Sequence, residues 1–184
     1  MTTLIIHPKD NSTQFLEIIY KDIQDKTVVT GGVTPQELKE LIASHDRIMM
    51  MGHGSPKGLF SVGAFNWQDG WKGYCIDKQF VPLLKTKKNS VYIWCNADQF
   101  VNKHELTGFY SGMFISEVGE ARYCGLSRKV DQGVVDESNF EFVTLMSQHI
   151  DDEDMSAQVI TKYWKFAQDN EVAGYNAHRL YKRG

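Results

Sequence analysis

No apolar run in this sequence approaches the roughly 20 residues that a membrane-crossing helix requires, so no span is expected. The start, MTTLIIHPKD, lacks a basic opening, a long apolar segment and a small-residue cleavage site, and is not read as a secretory leader. Charge of one sign is scarce: 20 Lys and Arg stand against 23 Asp and Glu, a formal net charge of −3. That balance gives no global attraction to nucleic acid or to an anionic membrane surface. Cysteine is scarce too. Cys75, Cys95 and Cys124 make an odd set with no C-x-x-C, which argues against a disulfide framework and against a cysteine zinc site. An intracellular, cytoplasmic setting is the expectation. Missing as well are the G-x-G-x-x-G and G-K-[ST] patterns of phosphate loops, an H-E-x-x-H metal pair and a G-x-S-x-G elbow, since GFYSG is off by one. No metal or cofactor is therefore expected. There are no internal repeats and no low-complexity linker. The 184 residues, 42% hydrophobic and 23% charged, suit one globular domain over 1–184.

What is present is an alternation. TLIIH (3–7) is a short apolar run, and STQFLEIIYKDI (12–23) follows with mostly helical apolar spacing. TVVT (27–30) is β-branched and ends at Gly31-Gly32. TPQELKELIASH (34–45) opens with Thr34, Pro35 and Glu37, which predicts a capping box. RIMMM (47–51) and SVYIW (90–94) read as the third and fourth strands, and GMFISEV (112–118) as the fifth. Between the third and fourth, residues 54–78 are rich in glycine and aromatics, with no helical period; they read as a loop or hairpin, with Trp67 and Trp71 in it. FVPLLKTKKN (80–89) predicts a short helix. RKVDQGVVDE (128–137) reads as a polar loop, SNFEFVTLMSQHI (138–150) as a helix capped by Ser138 with Glu141, 154–170 as the last helix, and NAHRLYKRG as a basic tail. Alternating strands and helices imply an α/β fold, a three-layer α/β/α sandwich with a mainly parallel sheet. Right-handed crossovers then put every strand's carboxyl end on one edge, where ligands bind in such sheets.

That edge is where MMMGHGSPKGLF (49–60) matters. His53 lies just past the third strand, and Cys95 just past the fourth. Neighbouring strands run about 4.8 Å apart, so the two loops can bring imidazole and thiol together. A thiol is mostly protonated at neutral pH, and an adjacent imidazole can take its proton. CNAD (95–98) leads into a helix whose positive end would favour a thiolate, with Asn96 or Asp98 as its cap. Gly54 has no side chain, so its N–H can approach a reacting carbonyl; with the N–H of Cys95 it could form an oxyanion hole.

IMMMGHG followed by VYIWCNAD resembles the caspase-like cysteine peptidases (clan CD), which include caspases, gingipains, clostripain, legumain and separase. The resemblance covers roughly residues 1–125 and rests on strand order and two short motifs. It implies a caspase-like α/β/α fold and a Cys95–His53 dyad. Gly54 would sit in the oxyanion hole, and a protein or peptide substrate would be cleaved through an acyl-enzyme. Departures are Trp94 where the family often has a small residue, Ile93 where some branches have an acid, and the absence of the caspase Q-A-C-R-G signature. For substrate preference, Glu117 and Glu120 near the end of the fifth strand could receive an Arg or Lys side chain. Asp98 and Asp69 are rivals, and Trp94 flanks the same point. A different class competes: the same fold kept as a catalytically inactive binding or regulatory module, with Trp94 crowding the cysteine.

Overall fold

The computed structural model describes all 184 residues. In chain order its elements are β1 (Thr3–Ile6), a 3-10 turn (Asn11–Leu16) leading into α1 (Glu17–Tyr20), β2 (Lys26–Val29), α2 (Pro35–Ser44), β3 (Arg47–Met51), β4 (Gly54–Ser55), β5 (Gly58–Phe60), β6 (Tyr74–Ile76), α3 (Val81–Leu84), β7 (Val91–Ile93), α4 (Ala97–Lys103), β8 (Gly108–Ser111), α5 (Val118–Tyr123), α6 (Gln132–His149), α7 (Met155–Phe166), α8 (Glu171–Ala177) and β9 (Leu180–Arg183). The architecture is α/β, with a six-stranded sheet in the order β2-β1-β3-β7-β8-β9. The pairs β1–β2, β1–β3, β3–β7 and β7–β8 are all parallel, in keeping with an α/β/α sandwich. No helix is long and apolar enough to cross a membrane.

The chain divides into two compact units. The first comprises 1–11, 23–112 and 181–184 and holds the sheet. Side chains alternate across a strand, so Leu4, Ile6, Ile48, Met50, Tyr92 and Trp94 share one face. There they form one core with Leu38 and Ile42 of α2, Leu84 of α3 and Phe100 and Val101 of α4. The opposite-facing Ile5, Met49, Met51 and Val91 are also fully buried, which explains why these strands read as continuous apolar runs rather than alternating ones. Helix α2 starts as its sequence predicts: Thr34 accepts from the Glu37 N–H while the Glu37 carboxylate accepts from the Thr34 N–H. Those bonds hold the Glu37 carboxyl below its ordinary pKa. Residues 54–76 form a three-stranded antiparallel sheet, β4-β5-β6, where a loop or hairpin was expected. In the segment between β5 and β6, Trp71 is buried, donating to the Val33 carbonyl at 2.7 Å, whereas Trp67 is 75% exposed.

The second unit comprises 12–22 and 113–180 and is helical. Phe142 of α6 packs against Phe114 (ring centroids 4.8 Å apart) and Tyr163 of α7 (5.6 Å). Asn176 of α8, fully buried, clamps the chain at Ile115, accepting from its N–H at 2.7 Å and donating to its carbonyl at 3.0 Å. Asn176→Ala would strand both backbone groups, each costing about 1–3 kcal/mol. The expected loss is about 2–4 kcal/mol by urea denaturation; a loss under about 0.5 kcal/mol, the scale of a neutral surface change, would show that Ile115 finds other partners.

Five expectations need correction. The fifth strand is not 112–118 but Gly108–Ser111, paired through Val91↔Phe109 and Tyr92↔Tyr110. Residues 132–137 are not loop: α6 begins at Gln132, capped by Asp131 accepting from the Val134 N–H. Ser138 is therefore no cap. It is buried in mid-helix, with its hydroxyl 2.7 Å from the Tyr163 hydroxyl. The single helix over 154–170 is instead α7 and then α8, the latter capped by Asn170. Finally, the basic tail includes β9, an edge strand of the main sheet whose Tyr181 stacks on Tyr110 at 5.5 Å.

Candidate active site

Chain direction singles out one place on the sheet. From β1 the chain crosses to β2 on one side and then to β3 on the other, so the strand order reverses between β1 and β3. In open α/β sheets, ligands bind outside the strands' carboxyl ends at such a reversal point.

Register brings the two candidate residues to that edge. Met51 pairs with Ile93, and the Gly52 N–H donates to the Ile93 carbonyl at 3.0 Å. His53 and Cys95 each lie two residues past this last registered pair, on adjacent parallel strands. Gly52 makes the exit possible with a φ of 139°, a conformation that side chains disfavour. The His53 carbonyl accepts from the Phe60 N–H at 2.8 Å, which ties the residue into the β4–β5 hairpin. The imidazole is half-buried, 32% exposed, and its Nε2 lies 3.5 Å from Oδ1 of Asp10. Asp10 comes from the loop after β1, the other strand at the reversal point.

Cys95 sits at the corner of a tight turn. The Ala97 N–H donates to the Trp94 carbonyl at 3.1 Å, and Asn96 between them is left-handed, with φ 66°. Such a conformation is uncommon for a residue with a side chain, and Asn is among those that tolerate it. The Ser111 hydroxyl donates to the same Trp94 carbonyl at 3.1 Å, and the Asn96 N–H to the Gly112 carbonyl at 3.1 Å, so β8 and the residue after it brace the turn. Asn96 takes the N-cap place of α4, yet its side chain makes no cap bond, because the left-handed backbone directs it elsewhere. Cys95 is a half-buried thiol that forms no disulfide. Cys75 forms none either but is buried, and burial pushes its thiol pKa far up.

Gly54 has a tighter requirement than its motif suggests. A Cβ there would fall 2.2 Å from Cδ1 of Trp94 and 2.7 Å from the Gly58 carbonyl oxygen. Trp94 itself is 2% exposed, packed edge-on against Tyr92 and Phe100, and its indole N–H donates to the Ser55 carbonyl at 3.1 Å. The indole is thus a floor under β4, occupied by packing. Hydrogen-bonded and non-bonded pairs alternate along an antiparallel ladder. With His53–Phe60 a bonded pair, Gly54–Leu59 is the non-bonded one, and the Gly54 N–H points away from β5.

The candidate substrate acids belong to different elements. Glu117 and Glu120 do not end a strand, since that strand stops at Ser111; they are the N-cap and third residue of α5. One Glu120 oxygen accepts from the Ser116 N–H, the Ser116 hydroxyl and the Glu117 N–H, at 2.7 to 3.1 Å. Asp69 lies in a 3-10 turn of the segment between β5 and β6. Asp98, in the first turn of α4 and three residues past Cys95, has a buried Oδ1 without a hydrogen-bond partner. Sequence reading overlooked Asp10. Its one signal was an acid in the loop after β1, on the same sheet edge as His53. No three His, Cys, Asp or Glu side chains gather as a metal site. No family model matches the chain, and no curated protein does either, so a functional reading rests on the geometry of these strand ends.

Proposed function

We propose that the chain is a cysteine endopeptidase working through a Cys95–His53 dyad. The observation that carries the reading is the β3–β7 register, with thiol and imidazole each two residues past Met51↔Ile93. In the reaction, His53 takes the Cys95 proton and the thiolate attacks the scissile carbonyl. The oxyanion of the tetrahedral intermediate meets the N–H groups of Gly54 and Cys95. The imidazolium returns its proton to the leaving amine, which departs and leaves a thioester. Water then attacks, His53 takes its proton, and collapse of the second intermediate returns the thiol and releases the acid. Cleavage after Arg or Lys is the preferred specificity. The buried, unpartnered Asp98 oxygen favours it, because such an oxygen gains from a cationic donor.

The test is release of a fluorescent amine from peptide amides carrying Arg, Lys, Asp or Ala before the scissile bond. Release confined to the basic peptides is expected. Release from the Asp peptide alone would overturn the specificity. No release from any, with protein peptides also uncut by mass spectrometry, would overturn the peptidase and favour the binding module.

A further inference from the structure

We propose that Asp10 is the positioning residue of this site: its carboxylate holds the His53 ring through Nε2, which leaves Nδ1 to take the Cys95 proton. The inference rests on the peptidase reading and extends its dyad to a third side chain.

Three observations carry it. The Nε2–Oδ1 separation is 3.5 Å, within the looser range of an uncomplexed site. The two residues come from loops after β1 and β3, adjacent strands in register through Ile6↔Met50 at the strand-order reversal. The backbone bond from Phe60 fixes where His53 starts, and the Asp10 carboxylate meets its ring at a second point. The carboxylate accepts the Nε2 hydrogen, so the neutral ring carries its lone pair on Nδ1. When Nδ1 takes the thiol proton the ring becomes a cation, and the carboxylate stabilises it without taking a proton itself. A pair this exposed contributes little to folding, so its removal should spare the fold.

The experiment reads Cys95 and His53 directly, without a peptide substrate. Iodoacetamide alkylation of Cys95 at neutral pH is followed by mass spectrometry in the wild type, Asp10→Ala, Asp10→Asn and His53→Ala. Long-range nitrogen–proton spectra report which ring nitrogen of His53 carries the hydrogen. In Asp10→Ala the alkylation rate should fall roughly tenfold to a hundredfold, below the ~10²–10⁴ that an entire general base supplies. The neutral ring should shift away from the Nε2–H form. Asp10→Asn, whose amide oxygen still accepts, should keep the tautomer but lose part of the rate, and it stands in if the alanine variant melts early. Unchanged rate and tautomer in both Asp10 variants, with His53→Ala slow, would overturn the role of Asp10 and leave the dyad standing. A rate indifferent to His53→Ala as well would remove the dyad, and Asp10 with it.

Discussion

Cys95→Ser is expected to lower peptide hydrolysis by on the order of 10³-fold or more, and His53→Ala by a similar factor, with the melting temperature of each within a few degrees of the wild type. A hydroxyl is a far weaker acid than a thiol, so the same imidazole cannot generate a comparable nucleophile. Cys75, the other cysteine of the sheet unit, cannot substitute. Cys75 sits fully buried in β6, its thiol within 3.4 Å of the Phe60 carbonyl oxygen and its pKa pushed far up by burial. In the proposed dyad nucleophile and base would act as a unit, so the double variant should be no slower than the worse single one. Initial rates on the basic peptide amides, with thermal melts on the same preparations, measure all of this. Additive losses in the double variant would mean that the two side chains do not serve one proton transfer. Undiminished hydrolysis by Cys95→Ser would place the chemistry elsewhere.

Gly54→Ala should be the most damaging single methyl group in the site. The added carbon would lie 2.2 Å from the Trp94 ring, and real Cβ contacts do not come so close. Either the indole moves, in a core shared with Tyr92 and Phe100, or β4 lifts and the Ser55–Trp94 bond breaks. Overpacking of this kind costs about 1–3 kcal/mol, and the broken bond about 1 kcal/mol more. For a chain of this size each kcal/mol lowers the melting temperature by roughly 2–4 °C, so a fall of about 5–12 °C is expected. Since β4 carries the Gly54 N–H, hydrolysis should fall with stability. A double variant that also replaces Trp94 with Val relieves the clash, and its stability should exceed the sum of the two single effects by about 1 kcal/mol or more. If Gly54→Ala melts with the wild type, the indole is not the floor described above.

Residues 49–60 posed one question to a reader of the sequence: why bare backbone flanks a histidine. The expected reason, close approach of a substrate carbonyl, is half of the answer at most. Gly52 is needed for its backbone conformation and Gly54 for the indole beneath it. That second reason could not be read locally, because it depends on the side chain of Trp94, a distant residue in the chain. Trp94 itself looked like an obstruction beside the cysteine. Alternation past the end of β7 instead turns it with Tyr92 into the core beneath β4.

Other differences have similar causes. GMFISEV is longer and more apolar than GFYS, so local pattern favours it as the strand. Pairing chose the shorter segment, because Gly108–Ser111 lies in register with β7. Gly133, Ser138 and Asn139 weaken helix propensity across 132–140. Burial of Ser138 against Tyr163 and the bond from Asn139 to the Ser116 carbonyl at 2.9 Å override it. LYKR looks solvated by composition, yet the open edge beside β8 accepts it as a strand.

By itself, the sequence determined the α/β alternation, the capping box of α2 and the two strands that lead to His53 and Cys95. Each of those is written in contiguous residues, through apolar period and turn chemistry. The tertiary structure alone decided the strand order, the place of β8 and β9, the fit of Gly54 on Trp94 and the meeting of Asp10 with His53. These depend on which strands become neighbours, and that choice is made by pairing and packing between segments far apart in the chain, where no local pattern reaches.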